Sequence, residues 1–158
     1  MKKVIVIGCP GSGKSTFSKA LSDKTGLPLY HLDIIWHKPD KTNISREEFD
    51  SRLSEILDRD EWIIDGNYNR TLDVRFEKCD TVFLLDFPCE ICLSGVENRI
   101  GKKRDDMPWV ETEFDPEFKQ WILDFNKDKL PHIYELIDKH ADKDIIIFKT
   151  REEMNNYL

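Results

Sequence analysis

The chain has 158 residues, enough for one domain whose core needs neither disulfides nor a structural metal. Its 24 basic and 31 acidic side chains leave a formal charge of −7, which argues against loose electrostatic attachment to nucleic acid or an anionic membrane, so any basic function has to be local. The apolar run Val4-Ile5-Val6-Ile7 meets Gly8 too early for a signal peptide or a membrane span. Four cysteines, Cys9, Cys79, Cys89 and Cys92, read as reduced thiols without secretory features around them, and a cytoplasmic protein is expected.

Lys3 to Ile7 is a continuous β-branched run bounded by glycine, the pattern of a central strand buried on both faces. Gly13 to Thr25 carries Phe17, Ala20 and Leu21 at helical spacing and stops at Gly26. Leu27 to Leu32 reads as a second strand. Ser45, with Glu48 three residues later, forms a capping box ahead of the apolar stripe Phe49, Leu53, Ile56 and Leu57. Trp62-Ile63-Ile64 and Thr81 to Leu85 are two more buried strands, ending at Asp65 and Asp86, and Pro88 opens a helix through Arg99. Phe118, Ile122 and Phe125, then Ile133, Leu136 and Ile137, mark a helical hairpin or a helix broken near Pro131, before a last strand at Ile145 to Phe148.

Strands alternating with helices imply an α/β fold. The expectation is one domain over residues 1–158, a five-stranded parallel sheet with helices on both faces and ligands at the carboxyl ends of the strands. The polar stretch from about 101 to 116 is long enough to act as a lid.

Gly8-Cys9-Pro10-Gly11-Ser12-Gly13-Lys14-Ser15 matches the phosphate-loop pattern G-x-x-x-x-G-K-[ST] completely, with a strand before it and a helix after it. The glycines let backbone N–H groups turn inward toward phosphate oxygens, and the helix presents its positive N-terminus to the same charge. The nucleotide site is therefore assigned to Gly8 through Thr16. Lys14 would reach the β- and γ-phosphates, and the Ser15 hydroxyl would ligate Mg²⁺. Cys9 reads as a small packing side chain. A second carboxylate for the metal, bound directly or through water, is sought at the end of a neighbouring strand: Asp65 fits best, with Asp33 and Asp86 as alternatives. Asp33 is also placed to orient an acceptor hydroxyl.

The P-loop, Asp65-Gly66-Asn67-Tyr68, Arg99 and Arg104-Asp105-Asp106 resemble the nucleoside monophosphate kinase group, of which adenylate kinase is the best-known member. A narrower resemblance rests on Leu32-Asp33 with Trp36, Trp62 to Tyr68, Arg75 and Leu85-Asp86-Phe87-Pro88. It points to the adenylate-kinase-like family labelled DNA topology modulation protein, or FlaR-related, and covers nearly the whole chain. The resemblance implies that Asp65 helps hold Mg²⁺, that Asn67, Arg70 and Arg75 face the acceptor, that Arg99 packs by the donor, and that Arg104 to Asp106 closes over the transferred group. Two departures stand out: Asn67-Tyr68-Asn69 replaces the G-F-P context of the acceptor arginine, and the lid is very short.

Cys89-x-x-Cys92 lacks the second pair a structural zinc needs and reads as packing. His31, His37, His132 and His140 have no metal-like spacing and receive no role. Trp36 and Trp109 sit in polar surroundings, and Trp36 is assigned to the substrate. Lys102-Lys103-Arg104 is read as lid cations.

The leading function is an ATP-dependent kinase of a nucleotide or another small molecule, with Lys14, Arg99, Arg104 and Asp33 as catalytic candidates. One rival is a nucleotide-dependent regulatory protein influencing DNA topology, although no helix-turn-helix or basic arm supports tight duplex binding. The other is a kinase of a neutral hydroxyl compound, since shikimate and gluconate kinases share this plan.

Overall fold

The computed structural model describes residues 1–158. Five parallel strands form one sheet in the order β2-β3-β1-β4-β5. They are β1 (Lys3–Gly8), β2 (Leu29–His31), β3 (Trp62–Asp65), β4 (Thr81–Leu85) and β5 (Asp144–Phe148). Val4, Ile5, Val6 and Ile7 are each fully buried, which in an alternating strand requires cover on both faces. The fold class and the central position of β1 therefore agree with the reading of the sequence.

Helix α1 (Lys14–Thr25) packs against β1, β2 and β3 and stops at Gly26, whose φ of 77° suits a residue without a Cβ. Helix α3 (Arg46–Leu57) begins at Ser45, whose hydroxyl accepts the Glu48 N–H at 3.1 Å. Helix α5 (Cys89–Arg99) follows Pro88. The apolar stripes after residue 116 form two helices, α6 (Pro116–Asp128) and α7 (Leu130–Lys139). The break falls at Lys129, and Pro131 sits in the first turn of α7, where a missing N–H costs nothing.

Three short helices escape the sequence pattern. The chain leaves β2 at His31 and enters α2 (Leu32–Trp36), so Asp33 lies on a helical turn rather than at a strand end. Helix α4 (Leu72–Lys78), reached through a 3-10 turn at Asn69–Thr71, and α8 (Arg151–Tyr157) are too short to show a periodic stripe. Tyr157 of α8 closes an aromatic cluster with Phe17, Phe83 and Phe148 at ring separations of 6.4, 5.3 and 5.6 Å. Between Arg99 and Pro116 there is neither helix nor strand. No helix is long and apolar enough to cross a membrane.

The register brings chemistry to one edge of the sheet. His31 lies opposite Asp65, Asp65 opposite Val6, and Gly8 opposite Leu85, so the carboxyl ends of β2, β3 and β1 meet where the phosphate loop begins.

Candidate active site

The loop after β1 lies flush on α5, and two glycines make that possible. A Cβ on Gly11 would stand 2.0 Å from the Cys92 carbonyl oxygen, and one on Gly95 would stand 2.0 Å from the Gly11 carbonyl oxygen. Gly13, at φ 103°, starts α1 with no side-chain cap, and no acidic residue occupies the first turn, so its leading N–H groups are left for an anion. Pro10, Gly11, Gly13, Lys14, Ser15 and Thr16 line a cleft of about 1660 Å³. Gly8, Cys9 and Ser12 lie behind that surface. Cys9 is buried, and contact with Cys92 first, then burial, pushes its thiol pKa up. Burial pulls the Lys14 ammonium below its ordinary pKa, while Asp65 and Asp33 act in the opposite direction. Lys14 Nζ donates to the Cys9 carbonyl at 3.4 Å.

Two arginines complete a cationic rim. Arg99, in the last turn of α5, stands 6.0 Å over the Phe118 ring, and its Nε is buried without a partner. Burial, then the like charge of Arg104, lowers the Arg99 pKa. Arg104 donates through Nη2 to Glu111 at 3.0 Å and lies 3.5 Å from Asp106, while its Nη1 is buried and unpartnered. Both arginines line the cleft with Lys14, and a buried guanidinium N–H without a partner calls for an acceptor such as a phosphate oxygen.

Segment 101–116 is folded down onto this cleft. The Ser15 hydroxyl donates to Asp106 at 2.7 Å, and Lys19 pairs with Asp105 at 2.9 Å. Trp109 meets His37 edge-on at 5.1 Å. Gly101 N–H donates to the Glu111 carbonyl at 2.6 Å and closes the neck of the segment.

The carboxylates are arranged differently from the expectation. Asp65, buried at the end of β3, meets His31 Nδ1 at 2.8 Å. Burial opposes the His31 charge, but the hydrogen bond and charge of Asp65, with Asp106 and Asp33 adding to them, raise its pKa overall. The sequence assigned His31 nothing; its only signal was a strand-end position two residues before Asp33. Asp33 accepts the Tyr68 hydroxyl at 2.6 Å. Asp86 is held by Tyr134 and Lys149 and is withdrawn from the phosphate loop. The carboxylate in contact with the Ser15 hydroxyl is Asp106, from segment 101–116. The Ser15 hydroxyl and the Asp106 carboxylate are oxygen donors of the kind Mg²⁺ takes, and no group of three or more His, Cys, Asp or Glu is placed to hold a metal.

Of the residues assigned to the acceptor, Asp33 and Asn67 line the cleft, while Trp36, Arg70 and Arg75 do not. Asn67 turns its amide onto Gly8, accepting from Gly8 N–H at 3.1 Å and donating to Gly8 C=O at 2.7 Å, so it braces the phosphate loop. Arg75 is fully buried and donates to Thr71 Oγ1 at 3.2 Å and to the carbonyls of Gly66 (2.8 Å), Asn67 and Tyr68. Those bonds leave its guanidinium enclosed in protein. Arg70 forms a two-pronged pair with Asp50 at 2.7 and 3.0 Å, and neither residue lines the cleft. Trp36 packs edge-on against Phe49 and Tyr68 at 5.5 and 6.3 Å and lines a separate hollow of about 200 Å³ with Arg46 and Arg70. Cys89 and Cys92 are free thiols, and Cys89 contacts the Ile122 carbonyl at 3.8 Å.

No protein-family model matches the chain. Among curated proteins it is similar to the adenylate kinases of Thermotoga petrophila and Thermotoga maritima, at 30% identity over 88 residues, 54% of this chain. The adenylate kinase of Thermotoga neapolitana is 28% identical over the same length. The matched region spans 39% of those relatives' length. Solved structures extend the likeness in fold to nearly the whole chain. Shikimate kinase from Acinetobacter baumannii, in complex with shikimate, superposes with a TM-score of 0.65 at 17% identity, covering 99% of this chain and 90% of that one. A gluconokinase from Sinorhizobium meliloti gives 0.60 at 14%, covering 98% and 86%.

Proposed function

We propose that this chain is a single-domain P-loop phosphotransferase that binds Mg²⁺·ATP and passes the γ-phosphoryl group to a small-molecule acceptor, with segment 101–116 as its lid. The observation that carries the reading is that Lys14, Arg99 and Arg104 line one cleft together with the uncapped N-terminus of α1, with unpartnered N–H groups on both arginines. Spreading charge on a transferring phosphoryl group needs such donors, fixed in advance in a site that excludes water. Asp33 lies in the same cleft, where a carboxylate can orient the attacking group. Ser15, with Asp106 bonded to it and Asp65 lining the same cleft, would hold the metal, which when bound would neutralise charge on the β- and γ-oxygens. The similarity to adenylate kinases and the fold shared with shikimate kinase and gluconokinase support the same class.

The test is ADP release from ATP over a panel of nucleoside monophosphates, nucleosides and small hydroxy compounds. Turnover with at least one acceptor is expected. Lys14→Ala should weaken ATP binding and lower turnover by about a hundredfold or more, since it removes the cation that follows the β/γ charge. ATP affinity and turnover unchanged in Lys14→Ala would end this reading. The rival carried by the DNA-topology label predicts ATP binding without transfer, together with a tight, sequence-selective shift of duplex DNA by the purified protein.

A further inference from the structure

We infer that the phosphoryl acceptor is a neutral polyhydroxy compound, a sugar or polyol, with no phosphate of its own and no nucleoside part; this rests on the kinase reading above. The cleft wall on the acceptor side comes from residues 31–41 and 65–69. An acceptor phosphate would need fixed guanidinium donors there. The two arginines that the sequence offered for that task are engaged elsewhere, Arg75 inside the protein on backbone carbonyls and Arg70 outside the cleft on Asp50. Lys41, exposed on a loop, is the one lysine or arginine this wall presents.

The wall is instead rich in hydrogen-bond acceptors. Asp33 and Asp65 present carboxylates, and Asn69 Oδ1 is buried without a partner. A buried acceptor calls for a donor, which a phosphate dianion cannot bring and a hydroxyl can. The hollow lined by Arg46 and Arg70 does not alter this, because Arg70 is paired with Asp50 and Arg46 stands exposed at the start of α3, with its charge acting on the same Asp50.

Tyr68 is the positioning residue. Its hydroxyl donates to Asp33 Oδ1 and leaves Oδ2 for the acceptor. As the acceptor oxygen bonds to the γ-phosphorus, its proton passes to Asp33. The bond from the γ-phosphorus to the bridging oxygen breaks, and ADP leaves with that electron pair. The proton then goes from Asp33 to water, so ATP and an alcohol give ADP, a phosphate ester and H⁺.

Calorimetric titration of the whole protein with ATP, and with dinucleoside pentaphosphates joining adenosine to each common nucleoside, tests this in the presence of Mg²⁺. Where both ends find sites, a linked ligand gains about a hundredfold or more over its parts. The expected result is that every pentaphosphate binds within about threefold of ATP, and that phosphate-free hydroxyl compounds, not nucleoside monophosphates, elicit ADP release. A pentaphosphate bound a hundredfold more tightly than ATP, with the gain lost in Lys41→Ala or Arg70→Ala, would overturn the inference, as would transfer to a nucleoside monophosphate. No binding of ATP at all would overturn the kinase reading beneath it. The binding comparison decides even before an acceptor is identified.

Discussion

The side-chain amide of Asn67 bonds both backbone polar atoms of Gly8, accepting from its N–H at 3.1 Å and donating to its C=O at 2.7 Å across 59 residues of sequence. This pair of hydrogen bonds ties the Asp65-Gly66-Asn67-Tyr68 segment to the first residue of the phosphate loop, and Arg75 secures the same segment from behind. Asn67→Ala should therefore cost about 1–2 kcal/mol in stability and loosen the loop. Urea denaturation should show the first effect and faster amide exchange at Gly8–Gly13 the second. Exchange unchanged in the loop would mean that the brace has no mechanical role.

Arg104 is expected to act on the transition state. One of its nitrogens is already held by Glu111, which fixes the guanidinium, while Nη1 is buried and unsatisfied. A cation so placed gains most when charge spreads over the equatorial oxygens. Arg104→Lys and Arg104→Ala should lower kcat by roughly a thousandfold while ATP affinity, measured by calorimetry, moves only a few-fold. Preserved kcat with matching losses in affinity and kcat/KM would assign Arg104 to donor anchoring instead.

Metal binding should depend on the lid. Asp106 reaches the Ser15 hydroxyl directly, whereas Asp65 is committed to His31. Asp106→Asn is expected to weaken Mn²⁺ binding to the protein–ATP complex by about tenfold, read by electron paramagnetic resonance titration. An unchanged Mn²⁺ affinity in Asp106→Asn, with a loss in Asp65→Asn, would return the metal to Asp65 alone.

The His31–Asp65 pair should make stability depend on pH. The folded-state pKa of His31 lies above its ordinary value near 6.5, because Asp65, and behind it Asp106 and Asp33, outweigh the penalty of burial. Below that ordinary value the imidazolium is charged in both folded and unfolded chains, and its contribution is fully present. As pH rises through the folded value the proton is lost and the contribution goes with it. Denaturation midpoints compared between pH 6 and 8 should fall more steeply in the native protein than in His31→Gln.

The phosphate loop, the central strand and the main helices were legible in the sequence because each is written locally. Glycine and lysine spacing, a β-branched run and a capping serine act over a few residues, and Gly11 and Ser45 behave in the fold as those spacings require. Short helices such as α4 and α8 carry too few turns for a stripe, and only packing shows them. The destinations of polar side chains were decided by tertiary structure. An arginine that pairs with carboxylates beside the cleft and one that clamps carbonyls use the same N–H groups, so nothing local separates Arg104 from Arg75. Their partners are set by which backbone lies within reach once the sheet has formed. Strand register set His31 against Asp65, and the path of segment 101–116 set Asp106 against Ser15 across 91 residues, contacts that exist only because the intervening chain has folded.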